Sequence, residues 1–220
     1  MTRTERTEVW DTVRVPDWLE SDTEESIVGT EWHQEAIGTL ATMLRVVVDR
    51  RGMSWGVCEQ IQVLGLRKDS GEEYSPRPDV MVLPHPIEKR RSSVHVSKIQ
   101  TLLFIAEVAS ESTLVQDLVD KAYVYAQLSV PEYVVFDPAG SLLKGPIRAW
   151  RLDSSAPSLY TAWLPDEQGR LYSAALDIAI EVMQPLLGVR DRDGRLIETA
   201  VAMARRLEEL EQRLRDIEHG

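Results

Sequence analysis

The sequence predicts an α/β fold, a core built on a central sheet with a separate helical tail. Three observations carry that expectation. Residues Glu31 to Val48 place Ile37, Leu40, Leu44 and Val47 at three- and four-residue spacing, the period of a helix with one apolar face. Leu102 to Ala109 is a near-continuous apolar run, the pattern of a strand covered on both faces. Strand, helix and strand then succeed one another from 102 to 137, the order of a crossover beside a sheet.

Taken in order, residues 1–25 read as an acidic N-terminal arm. Three basic residues there face eight acidic ones, a net −5, with Trp10, Val13, Val15, Trp18 and Leu19 as anchoring points. The core follows over 26–190. After the first helix, Val57 to Leu64 and Asp79 to Leu83 read as strands, and Leu102 to Ala109 as the central one. Thr113 with Gln116 reads as a capping box opening a helix from Leu114 to Leu128. Strands are expected near Glu132 to Asp137, Ile147 to Leu152 and Leu159 to Trp163. Residues 191–220 form the tail. Leu196, Ala200, Met203, Leu207, Leu210, Leu214 and Ile217 are spaced alternately by four and three, a heptad seam. Such a seam needs a partner surface: its own domain, or a second chain in a coiled coil. The second option predicts a homo-oligomer, a dimer first.

Composition bounds the function. The 220 residues suit one domain of ordinary size with a tail, and 43% hydrophobic residues suffice for a core. The single cysteine, Cys58, forms no internal disulfide, which fits a reducing compartment. With no apolar segment near the first residues and no long apolar run, neither a secretory signal nor a membrane span is expected, and the expected location is cytoplasmic. The formal charge of −11 counts against a general nucleic-acid coat or a membrane-surface protein.

Four residues carry chemistry. Glu107 lies near the end of the apolar run; a carboxylate there is costly unless paired, protonated or bound to a cation, the alternative being a strand-end glutamate that reaches water. Asp79 opens the short strand after Pro78, where Pro-Asp also marks an ordinary turn. At about 100° per residue from Leu114, Lys121 falls at about 340°, between Leu128 at about 320° and Tyr125 at about 20°. It is therefore expected inside the apolar stripe, with Asp117 one turn earlier and Gln116, Asp120 and Gln127 on the solvated side. Lys121 is then either an inward cation seeking a carboxylate or half of an i,i+4 pair with Asp117. His33 falls on the apolar face of the first helix, whereas Glu31 and Glu35 point away; a satisfied core histidine is the plainer alternative.

Pro78-Asp79, then Glu107-Val108-Ala109-Ser110, then Asp117 with Lys121 and Tyr125, then Val130-Pro131-Glu132-Tyr133-Val134-Val135-Phe136-Asp137 occur in this order. As a set they resemble the Uma-two family of putative restriction endonucleases, within the PD-(D/E)xK nuclease superfamily, over roughly residues 26 to 188. The resemblance implies a restriction-endonuclease-like core, a central mixed sheet flanked by helices, with the C-terminal coiled-coil-like helix outside it. It implies Asp79 and Glu107 as ligands of Mg2+ (or Mn2+), helped by a carbonyl such as that of Val108. The superfamily's lysine position, two after Glu107, is Ala109, so the resemblance implies that Lys121 supplies the catalytic ammonium. His33, Asp117 and Tyr125 become supporting residues. The implied activity is metal-dependent hydrolysis of DNA phosphodiester bonds. The basic segment Lys89-Arg90-Arg91 to Lys98, between the two motif strands, is expected either to meet the DNA backbone or to be a solvated loop. The alternative function is a nuclease-like fold without cleavage, a nucleic-acid-binding or assembly module acting through its C-terminal helix.

Overall fold

The structure is a computed structural model, and it describes residues 14–17, 31–87, 91–99 and 101–218. Its centre is a six-stranded mixed sheet. The strands are β2 (Gly56–Glu59), β6 (Val80–Leu83), β8 (Phe104–Val108), β9 (Glu132–Phe136), β10 (Ile147–Asp153) and β11 (Ala156–Ala162), in spatial order β11-β10-β9-β8-β6-β2. Only β8 and β9 run parallel, joined through helix α2 (Lys121–Gln127), as the crossover pattern anticipates; every other neighbouring pair is antiparallel.

The sheet is covered on both faces, and side-chain alternation divides its residues between two cores. On one face Val80, Val82, Phe104, Ala106, Val108, Val134 and Phe136 meet helix α1 (Glu31–Arg50) through Ala36, Ile37, Leu40, Ala41, Met43, Leu44 and Val47. On the other, Met81, Leu83, Ile105, Tyr133 and Val135 meet Val124, Tyr125 and Leu128 of the α2 region. Glu107 shares its face with Ile105, so the pleat aims its carboxylate at α2. This fully buried arrangement is why β6, β8 and β9 read as continuous apolar runs.

Three smaller sheets complete the core. β12 (Arg170–Ser173), β13 (Ile178–Met183) and β14 (Leu186–Arg190) form an antiparallel meander, and their Leu171, Ile178, Ile180, Leu187 and Val189 pack with α1, which lies between this meander and the central sheet. Glu132 fastens the two sheets. Its carboxylate accepts from the Ser173 hydroxyl and from the Ala174 amide at 2.9 Å, with Arg151 Nε at 3.3 Å. β1 (Arg14–Val15) pairs with β4 (Leu66–Lys68), which pairs with β5 (Glu73–Tyr74). Val15, expected as an anchor of the acidic arm, is fully buried; the other proposed anchors lie outside the described residues. β3 (Gln62–Leu64) pairs in parallel with β7 (Ser93–His95). Helix α3 (Ala200–Glu218) ends the chain.

The structure corrects several expectations. Val57 to Leu64 is two strands, because Gln60 adopts φ +49° and turns the chain out of the central sheet into the β3–β7 pair. The capping box at Thr113 does not form. The Ser110 hydroxyl accepts the Thr113 amide at 3.3 Å, and the Thr113 hydroxyl is spent on Asp117 at 2.8 Å. The helix after it winds as a π-helix over Gln116–Asp120 before continuing as α2. Its slower winding per residue departs from the uniform wheel, and Asp120, expected on the solvated side, is buried. Leu196 is not on the tail helix: it bridges to Arg190, Ile197 is fully buried in the core, and α3 starts at Ala200, where the Thr199 hydroxyl accepts the Ala202 amide.

Candidate active site

Two strand ends create the site. The ladder pairs Val80 with Ala106, so Asp79 stands opposite Glu107 where β6 begins and β8 ends. The two residues clasp each other through the backbone. The Asp79 amide donates to Glu107 Oε2 at 3.1 Å, and the Val108 amide donates to Asp79 Oδ2 at 2.8 Å. Both carboxylates are thus held by groups that cannot rotate away. Asp79 is the one nearer the surface, its side chain 12% exposed against 1% for Glu107.

Helix α2 and the π turn before it close the site from one side. Tyr125 donates its hydroxyl to Glu107 Oε1 at 2.8 Å, and Lys121 Nζ stands 3.4 Å from the same oxygen. Lys121 Nζ also lies 3.0 Å from Asp117 Oδ1, whose other oxygen accepts from Thr113. Tyr133, on β9, donates to the Asp117 carbonyl at 2.7 Å and so ties the π turn to the sheet. Sequence pattern alone gives Thr113 and Tyr133 no role in the site. Thr113 stands four residues before Asp117, one helical turn, which is the signal that was available.

Helix α1 closes the other side. His33 Nε2 donates to the Val108 carbonyl at 2.9 Å and lies 3.7 Å from Asp79 Oδ2. Its Nδ1 is buried without a hydrogen-bond partner among the described residues. Glu35 is exposed and takes no part, as its helical position implies. The structure therefore brings His33, Asp79, Glu107, Asp117, Lys121 and Tyr125 together. Of the basic segment, Lys89 and Arg90 lie outside the described residues, whereas Arg91 and Lys98 are both exposed.

The electrostatics of the site are strained toward positive charge. Burial pushes the Glu107 carboxyl well above the ordinary carboxylate range; Lys121 opposes the rise, while the charges of Asp79 and Asp117 add to it. Burial raises Asp117 as well, again against the pull of Lys121. Two carboxylates, Glu107 and Asp117, share one lysine with Asp79 hydrogen-bonded beside them, so the enclosed group relieves its excess negative charge by taking a proton or a cation. Hard oxygen donors suited to a divalent cation are the Asp79 and Glu107 carboxylates and the Val108 carbonyl, each oxygen having a lone pair beyond the bond it accepts. Among the described residues no group of three or more His, Cys, Asp or Glu side chains is arranged around a common metal position. Two carboxylates and one carbonyl are the oxygens a hard cation would meet here, with waters needed to complete its shell.

No helix among the described residues is long and apolar enough to cross a membrane. No curated protein matches the chain. Among solved structures it is similar to one described as a putative nuclease belonging to DUF820 from Anabaena variabilis, with a TM-score of 0.44, 10% sequence identity, and coverage of 61% of this chain and 68% of that one. The Uma2 family model, described as a putative restriction endonuclease, matches residues 21–152, which contain every residue of the site and more than half of the chain, and the chain belongs to that family.

Proposed function

We propose that this chain is a divalent-metal-dependent endonuclease that hydrolyses phosphodiester bonds of DNA in the cytoplasm. The observation that supports it best is the Lys121 ammonium beside Glu107. The superfamily's in-strand lysine position is Ala109, yet a buried lysine from the next helix stands 3.4 Å from the motif glutamate.

Asp79 and Glu107 would hold Mg2+ or Mn2+, with the Val108 carbonyl as a further oxygen. When bound, the cation supplies neutralisation of phosphate charge and acidification of a water. The chain's own residues do the rest. Lys121 carries the positive charge that would orient an attacking water and steady charge growing on the phosphoryl oxygens. Asp117, fixed by Thr113 and Tyr133, sets where that ammonium points. Tyr125 fixes the Glu107 rotamer, and His33 orients the Val108 carbonyl. Burial of Glu107 favours its protonated form, so Glu107 would give up that proton on holding a cation.

The test is cleavage of plasmid and single-stranded DNA with and without Mg2+ or Mn2+, with Asp79→Ala beside the native chain. Metal-dependent cutting that disappears in Asp79→Ala supports the reading. Cutting that survives the substitution overturns it at this site. A second reading, a non-cleaving nuclease-like fold that acts as a nucleic-acid-binding or assembly module, is favoured by one observation. Two apolar residues in the middle of the α3 seam are open to solvent, with Leu207 59% exposed and Leu210 47% exposed. Absence of cutting under every metal condition, with DNA binding retained, selects that reading.

A further inference from the structure

Helix α3 carries a heptad seam in sequence whose described leucines, Leu207 and Leu210, its own domain leaves uncovered, and the charges beside that seam say what covers it. On the helix the heptad assigns Ala200, Leu207 and Leu214 to position a, and Met203, Leu210 and Ile217 to position d. The flanking positions are then sorted by sign. Arg206 and Arg213 occupy both g positions whose heptads lie wholly on the helix, and Glu211 and Glu218 occupy the two e positions that follow them. In a parallel, in-register pair of helices, a g residue faces the e residue five places later on the partner. Arg206 then faces Glu211 of a second copy, and Arg213 faces Glu218, on each side of the pair. In an antiparallel pair g meets g and e meets e, which sets arginine against arginine and glutamate against glutamate.

We infer that α3 joins a second copy of this chain as a parallel, in-register coiled coil. Leu207 and Leu210, in the middle of the seam, are exposed and so are not buried against the chain's own core. Arg206 already touches Glu198 at 2.5 Å, and Glu211 lies 3.9 Å from Arg215. Both pairs are solvent-exposed, and exposed pairs hold little, so they exchange readily for pairs across an interface. The parallel arrangement places both core domains at the same, N-terminal end of the coil. Because the seam on the helix is short, association is expected to depend on concentration and to weaken with salt.

The experiment is sedimentation of the full chain over a concentration series. At high concentration the mass approaches twice 24.9 kDa. Arg206→Glu with Arg213→Glu turns the four cross-pairs repulsive and raises the dissociation constant roughly tenfold or more. An equimolar mixture with the Glu211→Arg, Glu218→Arg chain restores the double mass. Orientation is read separately. Leu210→Cys, at a d position, is oxidised with glutathione disulfide; a covalent dimer forms in the parallel register, and the native chain, whose one cysteine is buried, gives none. A monomer at every concentration, a charge-reversed variant as dimeric as the native chain, or a dimer of the Leu210→Cys variant that fails to cross-link each overturns the proposal. All five positions lie on α3, and far-ultraviolet circular dichroism of each variant checks that the core remains folded.

Discussion

Lys121 Nζ stands 3.4 Å from Glu107 Oε1, inside a region where neither side chain is more than 6% exposed. The pair joins a strand to the helix that follows it, and Asp117 makes it a triad with two carboxylates around one ammonium. That arithmetic of charge governs how the site responds to substitution and pH.

Replacement of Lys121 by Met leaves two buried carboxylates with no cation between them. Breaking a buried pair by removing one partner costs about 3 kcal/mol or more. The cost is expected to be smaller at pH 4 than at pH 7, because burial raises Glu107 and Asp117 and so favours their protonated forms as pH falls. Urea denaturation of the native chain and Lys121→Met at both pH values measures it. An equal loss at both would show that the lysine contributes through packing alone.

Glu107 predicts the sign of a pH slope in the metal-free protein. Its folded pKa is raised, so between the ordinary carboxylate value and the folded value the native state binds more protons than the unfolded state. Stability therefore falls as pH rises through that window. Glu107→Gln cannot titrate and is expected to flatten the slope. Denaturation midpoints measured from pH 4 upward, native beside variant, decide it; parallel curves would remove Glu107 as their source.

The parts of this site that were legible in the sequence are those set by simple periodicity. The continuous apolar run marked Glu107 as a carboxylate among core neighbours, and helical spacing put His33 and Lys121 inward. Asp120 was misplaced because a uniform wheel does not contain a π turn, and that turn depends on tertiary ties such as Tyr133 to the Asp117 carbonyl. The break at Gln60 was hidden because a left-handed glutamine leaves no compositional mark. The β12–β14 meander went unread: its strands are short and carry Arg170, Glu181 and Arg190, which pair with one another across the sheet. Glu132 read as part of a motif, and its observed contacts fasten two sheets.

Cys58 predicts inertness. It lies on β2 with its side chain in the core, and burial pushes its thiol up to about 11. About one molecule in a thousand is then thiolate at pH 8, and the thiolate is the reactive form. Alkylation by iodoacetamide at pH 8 is expected to be far slower in the folded chain than in urea. Equal rates would place Cys58 at the surface.

The basic segment predicts the salt dependence of DNA binding. With a formal charge of −11 the chain as a whole repels a polyanion, so attraction has to be local. Lys98 ends a short 3-10 turn, Val96–Lys98, that is pinned by fully buried Val96 and capped by His95, whose Nδ1 accepts the Ser97 amide. On the proposed reading, an ammonium held on such a turn between the two motif strands in sequence would meet a phosphate, together with exposed Arg91 of the same segment. Each phosphate contact contributes about 0.9 to the slope of log affinity against log salt. Arg91→Gln with Lys98→Gln, built on Asp79→Ala so that DNA stays intact, is expected to lower that slope by about 2 and to weaken binding equally for unrelated sequences. Fluorescence anisotropy across a salt series measures both. An unchanged slope would make the segment a solvated loop and move the DNA contact to another surface.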